Sequence, residues 1–374
     1  VSLVYGLTGS TRLPAIRSAL IEHSTLGLEG NIVGATAVLL LMVGFGFKIA
    51  AVPFHQWAPD AYEGAPAPAA AWIASGSKVA SFVALMKLFV YGLGPWSVNQ
   101  GKLSNPGWVG LLALIAAVTM TYGNLAALGQ RNFKRLLAYS SIAHAGYLLV
   151  GVIAAAVSKD SNSGAAGAVL FYLVIYGVTT VGAFAVAAWL AHDTGSDEID
   201  DLAGLGRRKP IMAVCILVLM LSLIGMPPFA GFFGKLYMFM EALNTREEGQ
   251  LALTWLVGLG LLNSVISAFY YVRVLKAMFL RPSRGDMGRS LPSGVLWPIA
   301  ISTLVTVAFG VWPSLLLTPL RGAAVVPMLS VTGPGDQSSR YATESVGPEE
   351  AKRINEERAR KEKENEKKLF KSSP

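Results

Sequence analysis

Ile211–Met240 reads IMAVCILVLMLSLIGMPPFAGFFGKLYMFM. As one straight helix these residues would reach about 45 Å, more than the ~30 Å hydrocarbon core of a bilayer needs. Met226-Pro227-Pro228 removes two backbone donors near the middle and predicts a broken helix. A break at that depth exposes backbone polar groups, which is tolerated only against protein or a wet cavity. Lys235, the single charge of the run, follows the break by seven residues. Membrane transporters place ion sites at broken helices of this kind.

A second run has the same ingredients. Ile32–Phe54 (IVGATAVLLLMVGFGFKIAAVPF) carries one charge, Lys48, and ends on Pro53-Phe54. Here the lysine precedes the break, whereas in Ile211–Met240 it follows. That reversal is the pattern of inverted repeats, which many transporters use. A third lysine, Lys78, interrupts another apolar span beside Ser75, Gly76 and Ser77. An ionisable group at bilayer depth costs ~3 kcal/mol on insertion scales, so three of them point to function.

Composition agrees with the class. Hydrophobic residues make up 53% of the chain and charged residues 14%, against about 25% charged in a typical soluble domain. The apolar runs are near twenty residues long and do not alternate, which predicts an all-α polytopic transmembrane bundle and not an outer-membrane barrel. One cysteine, Cys215, and four histidines without ligand spacing argue against an iron–sulfur cluster or zinc site on this chain. The net charge of +8 falls in short loops and in the tail, where membrane orientation explains it, so no nucleic-acid partner is expected.

Eight spans are predicted after the opening VSLVYGL: roughly 31–52, 67–92, 107–129, 134–157, 165–191, 210–241, 250–280 and 294–317. The segment Thr8–Gly30 reads as a loop with amphipathic character around Leu13–Ile21. Gly94–Gly107 and His192–Lys209 read as loops from their glycine and charge content. Three positive clusters, Arg131/Lys134/Arg135, Arg207/Arg208/Lys209 and Arg281/Arg284/Arg289, are two spans apart and therefore share a side, expected to be cytoplasmic together with Pro53–Pro66. The segment after Leu317 falls on the other side. Residues 318–347 read as a linker, and 348–374 as a charged tail with i,i+4 pairs such as Glu349/Arg353 and Glu364/Lys368.

A buried lysine is a usable proton site, because desolvation disfavours its charged form and a nearby carboxylate favours it. No Asp or Glu lies mid-span to act as that carboxylate. Each candidate also has a plainer reading. Lys48 snorkels if Pro53 lies near the interface, and Lys87 is close to a span end. His144, in SSIAHAGY, is either a hydrogen-bonded core histidine or a proton relay. Lys134, Arg135, Arg273 and Lys276 read as interfacial anchors, and Asp60 and Glu63 as caps or surface acids.

Three stretches, FKIAAVPFHQWAPDAYEGAPAPAAAWIASGSKVASF (Phe47–Phe82), NFKRLLAYSSIAHAGYLL (Asn132–Leu149) and MPPFAGFFGKLYMF (Met226–Phe239), resemble the subunit N family of the proton-pumping NADH–quinone oxidoreductase, respiratory complex I. That family belongs to the antiporter-like membrane subunits, with those of multi-subunit cation/proton antiporters and membrane hydrogenases. The resemblance covers Val1 to about Leu317, a single antiporter-like transmembrane domain over 1–317.

The resemblance implies fourteen transmembrane helices with two inverted five-helix repeats, of which this chain would supply the sixth to the fourteenth. The fifth-helix glutamate would then precede the chain. Lys48 would be the seventh-helix lysine that pairs with it, Lys78 the central lysine of the eighth helix and Lys235 the lysine of the broken twelfth. His144 would lie on the tenth, between them. The implied mechanism is a charge relay through these four residues, driven by quinone reduction elsewhere. NADH, FMN, iron–sulfur clusters and quinone would belong to partner subunits. The partners implied are the other membrane subunits, the lipid bilayer of a bacterial cell membrane, and protons. Two other readings stand beside it: a subunit of a cation/proton antiporter or membrane hydrogenase, and a non-conducting membrane scaffold.

Overall fold

In the computed structural model of the chain, the described residues are 1–22, 32–97, 107–158, 164–245, 253–282 and 293–329. Among them every regular element is a helix, as expected. Two short helices, α1 (Ser2–Thr8) and α2 (Leu13–Glu22), precede α3 (Ile32–Ile49) and α4 (Trp57–Gly64). Then come α5 (Ala67–Gly92), α6 (Trp108–Leu128), α7 (Phe133–Val157) and α8 (Gly164–Thr194). The second half holds α9 (Pro210–Ile224), α10 (Ala230–Asn244), α11 (Thr254–Leu280), α12 (Ser293–Val311) and α13 (Ser314–Leu329).

Seven of the described helices are long and apolar enough to cross a membrane, and Pro210–Ile224 is a shorter apolar helix. The predicted spans are recovered with shifts of a few residues, and 210–241 resolves into α9 and α10. α7 and α8 are innermost and buried almost all round, whereas α3, α11 and α12 keep apolar faces such as Leu39, Leu40, Val265, Phe269 and Leu304 on the outside. That outward apolar surface is what a lipid-facing helix needs. α6 and α7 approach closely because glycines face backbone: a Cβ on Gly123 would lie 2.6 Å from Ala143 N, and one on Gly146 2.6 Å from Met120 N. Small residues at a crossing let membrane helices pack without a hydrophobic driving force between them.

Both predicted breaks are present. α9 ends at Gly225, in the left-handed conformation (φ 90°) that glycine adopts without steric penalty. Gly225 N donates to Leu221 O and Ser222 O, and Met226 N to Leu221 O at 3.0 Å, closing the helix end. α3 ends where Ala50 takes φ 58°, a costly conformation for a residue with a Cβ. Val52 N then donates to Thr119 Oγ1, near the middle of α6, at 3.0 Å. The break after Lys48 is therefore level with the middle of α6.

The loops expected on one side meet at one end. Arg135 bridges Asp60 and Glu63, both at 2.7 Å. Lys134 pairs with Asp197 at 2.9 Å, and Phe133 N donates to Asp197 O. Arg281 pairs with Asp200. Arg273 donates to Leu128 O and Gln130 O at the carbonyl end of α6, where a cation is favoured.

Three expectations need correction. His192–Lys209 is not a plain loop: α8 continues to Thr194, and single helical turns follow at Ile199–Leu202 and Leu205–Arg208. Likewise, Leu13–Glu22 of the opening loop is a helix. The last span stops at Val311, and α13 occupies the first part of the predicted linker 318–347. Pro313 is the reason, since it cannot donate into the preceding turn and its own carbonyl starts the next helix by accepting from Leu316 N and Leu317 N. The charged tail, 348–374, lies outside the described residues.

Candidate functional site

α7 organises the interior. Ser140, Ser141, His144 and Tyr147 share one face by their three- and four-residue spacing, and all four are buried. Lys78, 2% exposed, lies in α5 directly after a stretch of π-helix at Ile73–Ser77. Its Nζ donates to Ser141 O at 2.6 Å and Ser141 Oγ at 2.5 Å. Such wide turns recur at functional positions of membrane and soluble helices.

One turn further along α7, His144 Nδ1 pairs with the Tyr172 hydroxyl at 2.5 Å, and Nε2 with the Tyr271 hydroxyl at 3.4 Å. Tyr271 also pairs with Ser140. A neutral imidazole has one donor and one acceptor nitrogen, and hydroxyls serve either. His144 is therefore satisfied in both tautomers, and the core reading and the relay reading describe the same residue. Both Lys78 and Lys235 are within electrostatic reach of it.

Lys235, 5% exposed, sits one turn deeper still, beside Tyr147. Its Nζ donates to Leu223 O at 3.1 Å, to Ile224 O at 2.9 Å and to Ser264 Oγ at 3.4 Å. The two carbonyls belong to the last turn of α9, so the break supplies the acceptors. Gly231, whose Cβ would collide with Ser222 O, lets α10 begin against α9 and brings Lys235 to that turn.

Lys78, His144 and Lys235 thus line one buried polar lane. No carboxylate touches the two lysines among the described residues. Lys48 is not part of the lane. It lies on the exposed side of α3 and makes no hydrogen bond or ion pair among the described residues. Lys87 is exposed near the end of α5, as a snorkelling lysine would be. Asp60 and Glu63 are partners of Arg135, and Lys134 is buried in an ion pair as well as being an anchor.

The sequence reading missed the lane's tyrosines. Tyr147, Tyr172, Tyr176 and Tyr271 are all at most 3% exposed and surround His144 or the lysines. It also missed Asn124, which donates to the Tyr147 hydroxyl at 2.9 Å and to Asn263 Oδ1 at 3.2 Å. The available signal was a polar atom at every third or fourth position in apolar runs, a spacing that marks one helix face.

Comparison with known proteins bears on the arrangement. Residues 1–267 match the family described as NADH:quinone oxidoreductase/Mrp antiporter, transmembrane. The chain is 43% identical over 323 residues to NADH-quinone oxidoreductase subunit N 2 of Acidobacterium capsulatum, covering 86% of this chain and 62% of that one. It is 40% identical over 342 residues to NADH-quinone oxidoreductase subunit N of Desulfitobacterium hafniense, covering 88% and 64%. The chain therefore spans somewhat under two thirds of the length of these relatives. Among solved structures it resembles a chain of respiratory complex I from Thermus thermophilus with bound aureothin (36% identity, TM-score 0.65, 85% of this chain and 64% of that one). A chain of the Mrp complex from Dietzia shares the fold at 21% identity (TM-score 0.70, 87% and 63%).

Proposed function

For a chain that belongs to the NADH:quinone oxidoreductase/Mrp antiporter transmembrane family, we propose the role of membrane-arm subunit N of a bacterial proton-pumping NADH–quinone oxidoreductase. It carries protons across the cell membrane through its buried lysines. The observation that carries this reading is the lane itself: two lysines, each buried and, among the described residues, free of carboxylates, with a doubly hydrogen-bonded histidine between them. A structural scaffold has no reason to keep ionisable groups at this depth, where each is costly.

Lys78, His144 and Lys235 hold and pass the proton. Ser141 and the α9 carbonyls hold the two ammonium groups. Lys48 stands apart from the lane, with its side chain outward. In this reading it faces an acidic partner outside the described residues, and that pair is the input that shifts Lys78. Coupling then travels as an electrostatic perturbation along contiguous groups. The two broken helices, with their lysines on opposite sides of the breaks, support the inverted-repeat plan. NADH, FMN, iron–sulfur clusters and quinone belong to the other subunits of the complex.

Relatives named subunit N at 40–43% identity favour this assignment over an antiporter subunit, for which the shared family description and a fold likeness at 21% identity speak. The test is NADH-driven proton uptake in inverted membrane vesicles carrying the full-length chain. Lys78→Ala and Lys235→Ala are each expected to lower the protons moved per NADH oxidised. If both variants pump at the normal ratio in a fully assembled complex, the relay is wrong.

A further inference from the structure

The two interior lysines share an environment beyond their carbonyl acceptors. Lys235 Nζ lies 4.8 Å from the centroid of the Tyr147 ring, over its face. Lys78 Nζ lies 5.7 Å from the centroid of the Tyr176 ring, over its face. Both tyrosines also pack on His144, with ring centroids 5.7 Å and 4.9 Å from the imidazole. The order through the core is therefore lysine, tyrosine, histidine, tyrosine, lysine. Tyr147 and Tyr176 are 1% and 3% exposed.

A tyrosine face carries partial negative charge and attracts a cation placed within about 6 Å of its centre, most strongly where water is excluded. A neutral amine gains little from the same face. The ring thus discriminates between the protonated and deprotonated lysine, which is the task a carboxylate would otherwise perform. A carboxylate would hold the ammonium much more tightly, since the Coulomb energy of a full opposite charge in a poorly polarisable interior is large. A ring face offers a weaker hold, compatible with releasing the proton in each cycle.

We propose that Tyr147 and Tyr176 are positioning residues of the proton lane, acting through their ring faces as counter-groups to the protonated Lys235 and Lys78. The imidazole of His144 fixes both rings between the two lysines. This inference rests on the proposed proton-carrying role of the lysines.

The experiment uses the full-length chain in its assembled membrane complex and reads NADH-driven proton uptake per NADH oxidised. Tyr147→Phe and Tyr176→Phe keep the ring face and lose only the hydroxyl, which in Tyr147 accepts from Asn124, so pumping falls much less than in the leucine variants. Tyr147→Leu and Tyr176→Leu remove the face, and pumping falls about two- to thirtyfold, the range cation–ring contacts span from exposed to desolvated sites. The fall is larger at Tyr147, whose ring is nearer its lysine. Phenylalanines with increasing fluorine substitution, introduced at 147 or 176, keep the ring and drain its negative face, so they test the idea where a leucine variant does not assemble. A stepwise decline with fluorination supports the proposal. A flat response, or phenylalanine losing as much as leucine, overturns it. Lys78→Ala and Lys235→Ala, run alongside, separate the two readings. If they pump normally, the lane itself fails, and if they lose pumping while the fluorinated rings do not, only the tyrosine assignment fails.

Discussion

Lys235 caps the carbonyl of Ile224 across the broken helix, Nζ to O 2.9 Å, although the two residues lie on different helices. A helix end inside a membrane leaves carbonyls without partners, and the partial negative charge gathered there favours a cation. The lysine therefore satisfies the break, and the break makes the lysine tolerable at that depth.

Two roles of Lys235 separate by substitution. Lys235→Met removes the donors to Leu223 O and Ile224 O, and each buried acceptor left unpaired costs about 1–3 kcal/mol. The melting temperature of the detergent-solubilised complex should fall and pumping should be lost. Lys235→Arg keeps a donor but holds its proton at any accessible pH. Stability should then be largely kept while proton uptake per NADH is lost. An arginine variant that pumps normally would sink the idea that this site must deprotonate.

His144 depends on two hydroxyls. Tyr172→Phe leaves Nδ1 without its partner at 2.5 Å, and Tyr271→Phe removes the contacts to Nε2 and Ser140. Each loss is worth about 1 kcal/mol, so under the proposed role a several-fold drop in pumping is expected with near-normal NADH oxidation. The double variant should lose more than either alone, measured by the same vesicle assay.

The contact between α6 and α7 sets the depth of the lane. Gly146→Ala places a Cβ 2.6 Å from Met120 N, and Gly123→Ala one 2.6 Å from Ala143 N. Backbone cannot give way cheaply, so each should destabilise by about 1–3 kcal/mol. Gly44→Ala is the control, because nothing lies within 4 Å of that position; alanine there is expected to be neutral or slightly stabilising. Thermal unfolding of the purified complex distinguishes the three.

Lys134 and Asp197 join the start of α7 to the segment after α8. Their side chains are 10% and 19% exposed, so the pair is partly screened. A double-mutant cycle of Lys134→Ala and Asp197→Ala should return a coupling of about 1 kcal/mol, above the typical surface pair and below a fully buried one. Zero coupling would assign the end of the bundle to its backbone bonds alone, such as Phe133 N to Asp197 O at 2.7 Å.

Much of the candidate site is legible in the sequence. Lys78 and Lys235 stood out because a lone charge in an apolar run is costly wherever the run packs, and both are buried in the lane. His144 was visible only as one of two plain alternatives. Lys48 stood out equally, yet it faces outward from the described bundle. Hydropathy places a residue along the membrane normal but does not fix the rotation of its helix. The tyrosines were not legible, since an aromatic residue is ordinary in an apolar span and its ring acquires a role only from the group it faces.

The order of apolar runs, prolines and lone lysines determined the all-helical membrane fold, the two breaks and the shared side of the basic loops. Each of these follows from local chemistry: a residue's transfer cost, a missing donor, a charge next to a span. Tertiary structure alone decided which groups meet. Lys78 finds Ser141, 63 residues away, and Lys235 finds the end of α9. Tyr147 and Tyr176 close around His144. Such contacts depend on helix rotation and on glycines that let backbones approach, and the spacing of residues along one chain encodes neither.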